Sequence, residues 1–423
     1  MAVAAPPRQT PGLHDLRGRP LRIVVHDFAG HPFQVELSRA LAAVGHRVLH
    51  LHCASDVTGK GRVARDPADP PTFDVEGLSL ERAFRKHHPS GRFVDELAYA
   101  RLLTGRIGRH RPDVVISANT PLLAQARAQR FCRRRGIAFV FWQQDILSIG
   151  MGNVVSREHR RAGALMGRVL RDVERRALRG SDVVVPVSED FLPYLDRWQV
   201  PRERVVVIRN WSPIGEVAPR PRDNPWAAAH GYAGARVALY CGTLGRKHDP
   251  ALLWALAERA GLTGGWDVVV VAEGHGADWL AARQAAAPNP RLHIHGYQPY
   301  ADRPDVLATA DVLVALLEPD AGVFSVPSKV LTYHCAGRAI VAAVPAENLS
   351  ARLVVEAGSG RVVSPGDTAG FVAACEGLLC DPAEAEALGR NARMYAERTF
   401  PIGGIADRFA VAIARSLGAA VTW

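Results

Sequence analysis

The sequence predicts an α/β protein made of two doubly wound domains, each a parallel sheet covered by helices on both faces, facing one another across a cleft. Three observations carry this reading. The chain has 423 residues, more than one ordinary core holds. Short apolar runs alternate with helical segments, the rhythm of parallel strands joined by crossover helices. That alternation stops at a proline-rich stretch and then begins again.

In chain order, residues 1–20 hold prolines and arginines but no apolar signal core, and read as a loose tail. The first domain, 21–212, opens with the strand Leu21–Val25 and the turn Asp27–Pro32. A helix follows from Phe33 to Val44, ended by Gly45. Arg47–Cys53, Asp113–Ser117, Ala138–Trp142, Asp182–Pro186 and Val205–Ile208 are its further strands. Residues 213–235 contain four prolines and read as the linker. The second domain, 236–398, has strands at Val237–Tyr240, Asp267–Ala272, Arg291–His295, Asp311–Leu316 and Ala339–Ala343. Residues 399–423 are expected to form a C-terminal helix crossing back to the first domain.

Composition narrows the function classes. Apolar residues make up 48% and charged residues 22%, a globular balance. No apolar run reaches the roughly 20 residues of a membrane span. Six cysteines in no metal-type spacing read as reduced thiols of a cytoplasmic protein. The net charge of +10 fits an anionic partner. Nucleic acid is disfavoured, because no zinc-finger spacing or aromatic-interleaved basic patch is present. Neither half opens with GxGxxG, and no GxxxxGK[ST], HExxH or Asp-x-Asp pair occurs, so neither a cofactor nor a metal is expected.

Of 52 basic residues only four are lysine: Lys60, Lys86, Lys247 and Lys329. Lysine is a compact, mobile point charge suited to phosphate, and two of the four stand at turns framed by glycine or proline. Lys247 lies in Gly242-Thr-Leu-Gly-Arg-Lys247, just after a strand. There Gly242, Thr243 and Gly245 let backbone approach a ligand, Arg246 or Lys247 can neutralise a diphosphate, and the helix from about Pro250 offers free N–H groups. The same residues also make an ordinary basic turn. Ser325-Val-Pro-Ser-Lys329 reads as a second helix start, with Ser325 or Ser328 placed either to cradle an anion or simply to cap. Glu273 and Gly274 end one strand, and Gly296 and Tyr297 end another, where they can cover a nucleobase or merely turn and pack.

In the first half, Gly30 and His31 occupy the first strand-to-helix turn, and Gln143-Gln-Asp145 ends a later strand. Asp145 and His31 are the candidates to handle an acceptor hydroxyl's proton, against the plainer roles of helix cap and turn residue. Ser156–Gly180 reads as a helix with eight arginines against three acids and an apolar stripe of Ala162, Leu165, Met166, Val169, Val173 and Ala177. It suits an anionic membrane surface, or a core-facing stripe with a solvated arginine face.

Four stretches carry a likeness to a known family: Gly45-His-Arg-Val48, Val207-Ile-Arg-Asn-Trp-Ser212, Gly242–Lys247, and Pro327-Ser-Lys-Val-Leu-Thr-Tyr-His-Cys-Ala-Gly-Arg338. With them the chain resembles the retaining family-4 glycosyltransferases of the two-Rossmann GT-B type, in the branch serving colanic-acid, O-antigen and capsule assembly. The resemblance spans nearly the whole chain. It implies a nucleotide-sugar donor in the second half, a glycoside or lipid-linked acceptor in the first, retention at the anomeric carbon, and no metal. It places Lys247 and Arg246 on the donor diphosphate and the stretch Ser328, Lys329, Val330 and Thr332 on ribose and phosphate. Gly296 and Tyr297 lie by the base, and the Gly30 amide reaches the phosphates. Two departures bear on the donor. Many members carry paired glutamates where Phe324 and Thr332 stand here, and an arginine where Thr243 stands. A non-hydrolysing sugar-nucleotide 2-epimerase and a non-enzymatic sugar-nucleotide-binding subunit are the competing readings.

Overall fold

A computed structural model describes residues 19–55, 63–80, 89–149, 160–319 and 328–419. The chain divides into two compact units, 1–209 with 402–423, and 210–401.

The first unit is built on a six-stranded parallel sheet of β1 (Arg22–Asp27), β2 (Arg47–Cys53), β3 (Phe73–Leu78), β4 (Val114–Ala118), β5 (Ala138–Gln143) and β6 (Val183–Pro186). Their spatial order is β3-β2-β1-β4-β5-β6. Helices α1 (Pro32–Ala43), α2 (Pro89–His110), α3 (Leu122–Arg134), α4 (Arg160–Arg179) and the short α5 (Leu192–Arg197) connect the strands. The central strands are buried throughout, which is why they read as unbroken apolar runs.

The second unit repeats the plan with β7 (Val237–Cys241), β8 (Asp267–Val271), β9 (Leu292–His295), β10 (Val312–Leu316), β11 (Ala339–Ala343) and β12 (Gly360–Val363), ordered β12-β11-β10-β7-β8-β9. Read from its first strand, this is the order of the first sheet. In both units the order reverses between the first and fourth strands, the crevice where such sheets bind ligands. Its helices are α6 (Pro225–Ala229), α7 (Pro250–Thr263), α8 (His275–Ala286), α9 (Arg303–Ala308), α10 (Ser328–Ala336), α11 (Leu349–Ala357), α12 (Thr368–Cys380) and α13 (Pro382–Thr399). The last helix, α14 (Ile402–Ser416), belongs to the first unit and lies against α1, β5 and β6. There Phe409 meets Trp142 edge-on, ring centroids 4.7 Å apart.

Several sequence expectations change. β3 and β12 escape apolar-run reading because each is an edge strand with partly exposed positions. Val205–Ile208 is not a strand; it makes a single bridge from Val205 to Val184 and otherwise runs as irregular backbone. The proline-rich stretch 213–235 is part of the second unit, where Asn224 caps α6 and Trp226 is buried. Prolines there fix the path of a packed segment. The arginine-rich helix buries Leu170, Glu174, Ala177 and Leu178, while Met166 and Val169 of the expected stripe are about half exposed. Its buried face is turned because Glu174 docks into the first unit, accepting the N–H groups of Leu147 at 3.0 Å and Ser148 at 2.9 Å. The expected tail lies outside the described residues but for its last two, of which Arg19 pairs with Asp113 at 2.6 Å. Among the described residues no helix is long and apolar enough to cross a membrane.

Candidate active site

In the first unit a buried carboxylate organises the carboxyl end of β1. Asp27 is fully buried and accepts the backbone N–H of Ala29 at 3.1 Å and that of His31. The Asn119 amide nitrogen, just past β4, lies 3.2 Å from the same carboxylate. Gln34, with its amide nitrogen turned inward, reaches both Asp27 oxygens at 2.8 Å. His31 Nδ1 stands 3.3 Å from each Asp27 oxygen. With Nδ1–H given to Asp27, Nε2 is left as the basic nitrogen. Burial opposes the Asp27 charge, but the His31 ring and backbone N–H outweigh it and the carboxyl's pKa is lowered. Gly30, at φ 74°, makes the turn, and Asn119 at φ 51° makes its counterpart across the strand-order reversal.

Further along the same sheet edge, Gln143 is buried at the end of β5, and neither atom of its amide finds a partner among the described residues. Asp145 is partly exposed two residues on. Burial, assisted by the Asp145 charge, raises the pKa of the neighbouring Glu174.

In the second unit three loops and a helix start converge. Gly242 follows β7 at φ 128°, a backbone state suited to glycine. The Lys329 side chain crosses above it, its Cε 3.6 Å from where a Cβ would stand. Lys329 Nζ donates to the Tyr240 hydroxyl and to the Thr243 carbonyl at 3.4 Å, and sits 4.1 Å from the Tyr240 ring centroid. Burial lowers the Lys329 ammonium's pKa to about 7. Thr243 Oγ1 and the Tyr297 hydroxyl are 2.6 Å apart. Tyr297 donates its backbone N–H to the Glu273 carboxylate at 3.4 Å.

The Gly242–Lys247 loop is anchored on both sides. Leu244 donates to the Glu273 carbonyl at 2.9 Å, and Glu318, past the end of β10, donates to the Lys247 carbonyl at 2.8 Å. The side chains of Arg246 and Lys247 are exposed. His248 is held neutral: burial, then the Lys329 charge, lowers its pKa to about 3. The start of α7 is already occupied, since the Asp249 side chain accepts the Ala251 N–H at 2.8 Å. Deeper in, Arg303 donates to Thr332 Oγ1 at 3.1 Å, and Ser212 Oγ lies 3.3 Å from the same atom. Cations, hydroxyls and glycine backbone gathered at the strand-order reversal suit an anionic ligand carrying a ring.

Comparison with known proteins identifies the family. The family model for a "Glycosyl transferase 4-like domain" matches residues 30–211, and that for "Glycosyl transferases group 1" matches residues 235–381. The chain belongs to the family-4 glycosyltransferases of GT-B fold. A curated relative, the "Probable glycosyltransferase WbjE" of Pseudomonas aeruginosa, is 24% identical over 309 residues, covering 71% of this chain and 75% of its own. Among solved structures, the sucrose-phosphate synthase of Thermosynechococcus elongatus superposes with a TM-score of 0.69 at 16% identity, covering 91% of this chain and 96% of its own. Anabaena HepE, solved with UDP and glucose, gives 0.66 at 17% identity over 92% of this chain and 98% of its own.

In this glycosyltransferase the structure gathers Gly242, Thr243, Glu273, Gly274, Tyr297 and Lys329, with Gly296 beside Glu273. Val330 is fully buried, so only its backbone is available to a ligand. Ser328 is the exposed first residue of α10, and Ser325 lies outside the described residues. The free helix N-terminus expected at Pro250 is closed by Asp249. His31 and Asp145 share the carboxyl edge of one sheet, but β4 stands between their strands. Sequence reading missed Asp27, Asn119, Tyr240 and Arg303. Asp27 had a signal, an acid closing a strand before the Gly30 turn; Arg303 is one arginine among 48 and had none.

Proposed function

We propose that this glycosyltransferase binds a nucleoside-diphosphate sugar in its second unit and transfers the sugar, with retention and without a metal, to a glycoside or lipid-linked acceptor held by the first. The placing in surface-polysaccharide assembly rests on the sequence likeness. The observation that carries the donor reading is the convergence of Lys329, Tyr240, Thr243 and Tyr297 on the Gly242 loop, next to the exposed Lys247. A diphosphate takes the lysines and loop amides, and the Tyr297 ring covers the base. Binding of UDP by HepE makes UDP-sugars the first donors to test. On the acceptor side, His31 held by Asp27, the unpaired Gln143 amide and Asp145 offer a base and hydrogen-bond partners for sugar hydroxyls. We also propose a peripheral position on an anionic inner-membrane surface. It is supported by exposed Arg168, Arg171 and Arg176 beside Met166 and Val169 on α4.

The test is sugar transfer from a panel of UDP-, GDP- and dTDP-sugars, read together with donor binding by calorimetry. Lys247→Ala is expected to weaken donor binding about ten- to a hundredfold, the loss of one charge-assisted contact. Asp145→Asn and His31→Ala are expected to lower turnover and leave donor binding intact. Undiminished nucleotide binding by the Lys247 variant overturns the donor site. Full transfer rates in both other variants overturn the acceptor site. The anomeric configuration of the product, read by NMR, decides retention.

A further inference from the structure

The opposite edge of the first sheet, at the amino ends of its strands, carries an arginine-lined groove of about 880 Å³ between α2 and α3. Among the described residues its walls include Arg22, Arg101, Arg109, Arg111, Arg127 and Arg135 and no carboxylate, while the adjoining depression, which shares Arg111 and Arg135, adds Asp113 and Asp182. Among the described residues Arg101, Arg109, Arg111 and Arg127 form no ion pair. Arg22 donates to the His110 carbonyl, and Arg135 lies over the Phe131 ring, 5.3 Å from its centroid. Arginine does not relieve such crowding by shedding a proton. Five of the six are exposed, and together they make a surface of positive potential that favours an anion.

Ordinary helix electrostatics explains part of this set. Arg109 and Arg111 lie at the carboxyl end of α2, and Arg135 at that of α3, where the helix dipole favours cations. Arg101 and Arg127 lie within their helices and gain nothing from that effect. Two further backbone features mark this surface. Gly105 and Gly108 interrupt α2, where glycine is unfavourable by roughly 1 kcal/mol against alanine. A Cβ at Gly108 would press on Phe131 at 3.2 Å. Arg111 itself ends α2 at φ 51°, a left-handed state that a side chain adopts at an energetic penalty.

We propose that this groove is a binding site for a small soluble compound bearing several phosphate groups, separate from the donor site and on the far edge of the sheet from His31 and Asp145. Guanidinium forks match phosphate oxygens two at a time, and several around one ligand select multiple phosphates over single anions. Of the exposed apolar side chains on α2, Phe93 and Val94, which would anchor a bilayer, lie at the other end, and Leu102 alone adjoins the groove beside Arg101.

The experiment titrates inorganic tripolyphosphate into the full chain by calorimetry at constant ionic strength. It compares the unaltered protein, the double variant Arg101→Gln/Arg127→Gln, and Lys247→Ala. Glutamine is a good helix former, and unchanged melting temperatures establish that both variants fold. The expected result is a saturable site weakened on the order of tenfold or more in the double variant and retained in Lys247→Ala. The proposal is overturned by equal affinity in unaltered protein and double variant, by sulfate binding as tightly as tripolyphosphate, or by absence of saturable binding. It is also overturned if only vesicles containing phosphatidylglycerol, and not tripolyphosphate, bind in a way the double variant abolishes. Because Lys247→Ala removes the donor contact alone, failure here and failure of the donor reading give different results.

Discussion

Lys329 shows how a single side chain sets a measurable property. Its ammonium, under the Tyr240 ring and over Gly242, has a pKa lowered by burial to about 7. Below that pH the free protein already carries the charge a diphosphate needs. Above it the lysine is neutral, and binding an anion draws a proton in. Nucleotide affinity is therefore expected to fall as pH rises through about 7, by up to about tenfold per unit. Calorimetry in two buffers of different protonation enthalpy is expected to read proton uptake approaching one per site near about pH 8. Lys329→Met is expected to flatten both trends; an unchanged slope in that variant assigns the proton elsewhere. His248, neutral by burial and by the neighbouring lysine, does not compete as the source.

At the scale of elements, the loops after β7 and β8 hold one another through backbone. Gly274, the residue before α8, has φ 115°, and a Cβ there would stand 3.0 Å from the Leu244 carbonyl oxygen. That carbonyl also accepts the Gly276 N–H at 2.8 Å. Gly274→Ala is expected to destabilise the second unit by about 1–3 kcal/mol, the usual range for a forced backbone state. Gly245→Ala is the control, because its nearest neighbour is Thr243 Cγ2 at 3.8 Å. Urea unfolding followed by tryptophan fluorescence checks both; equal midpoints for the two variants refute the role given to Gly274. The strands positioning these loops were readable because both faces of each are covered. β3 and β12 were not, because an edge strand with mixed exposure leaves no apolar run.

At the scale of the whole molecule, the chain closes its first unit with its last helix. Phe409 is fully buried and meets Trp142 of β5. Phe409→Ala is expected to cost about 3–5 kcal/mol. By differential scanning calorimetry only the transition of the first unit should move; a matching shift of the second unit would contradict the division. The charge of +10 bears on partners at the same scale. Vesicles containing anionic lipid are expected to bind the protein and release it with added salt, since exposed charges are screened over about 8 Å at physiological strength. Arg168→Gln with Arg171→Gln should weaken that binding, and equal binding to neutral vesicles would remove the membrane proposal.

By itself the sequence determined the α/β class, ten of the strands or their close neighbourhoods, and the glycine turn bearing Lys247. Each is written in local signals: apolar runs, a glycine after a strand, a lysine in a chain of arginines. Only the tertiary structure decided which side chains meet. Lys329 reaches Tyr240 and Thr243 across more than eighty residues of chain, and Asp27 meets Asn119 across a similar span. Those contacts follow from strand order, which sets the fourth strand of each sheet beside the first. The arginine groove has the same origin, since Arg22, Arg101 and Arg127 become neighbours only when α2 packs against α3 and the end of α2 meets Arg22 at the start of β1. Local pattern is a property of adjacent residues. A site is a property of which strand ends the crossovers place side by side.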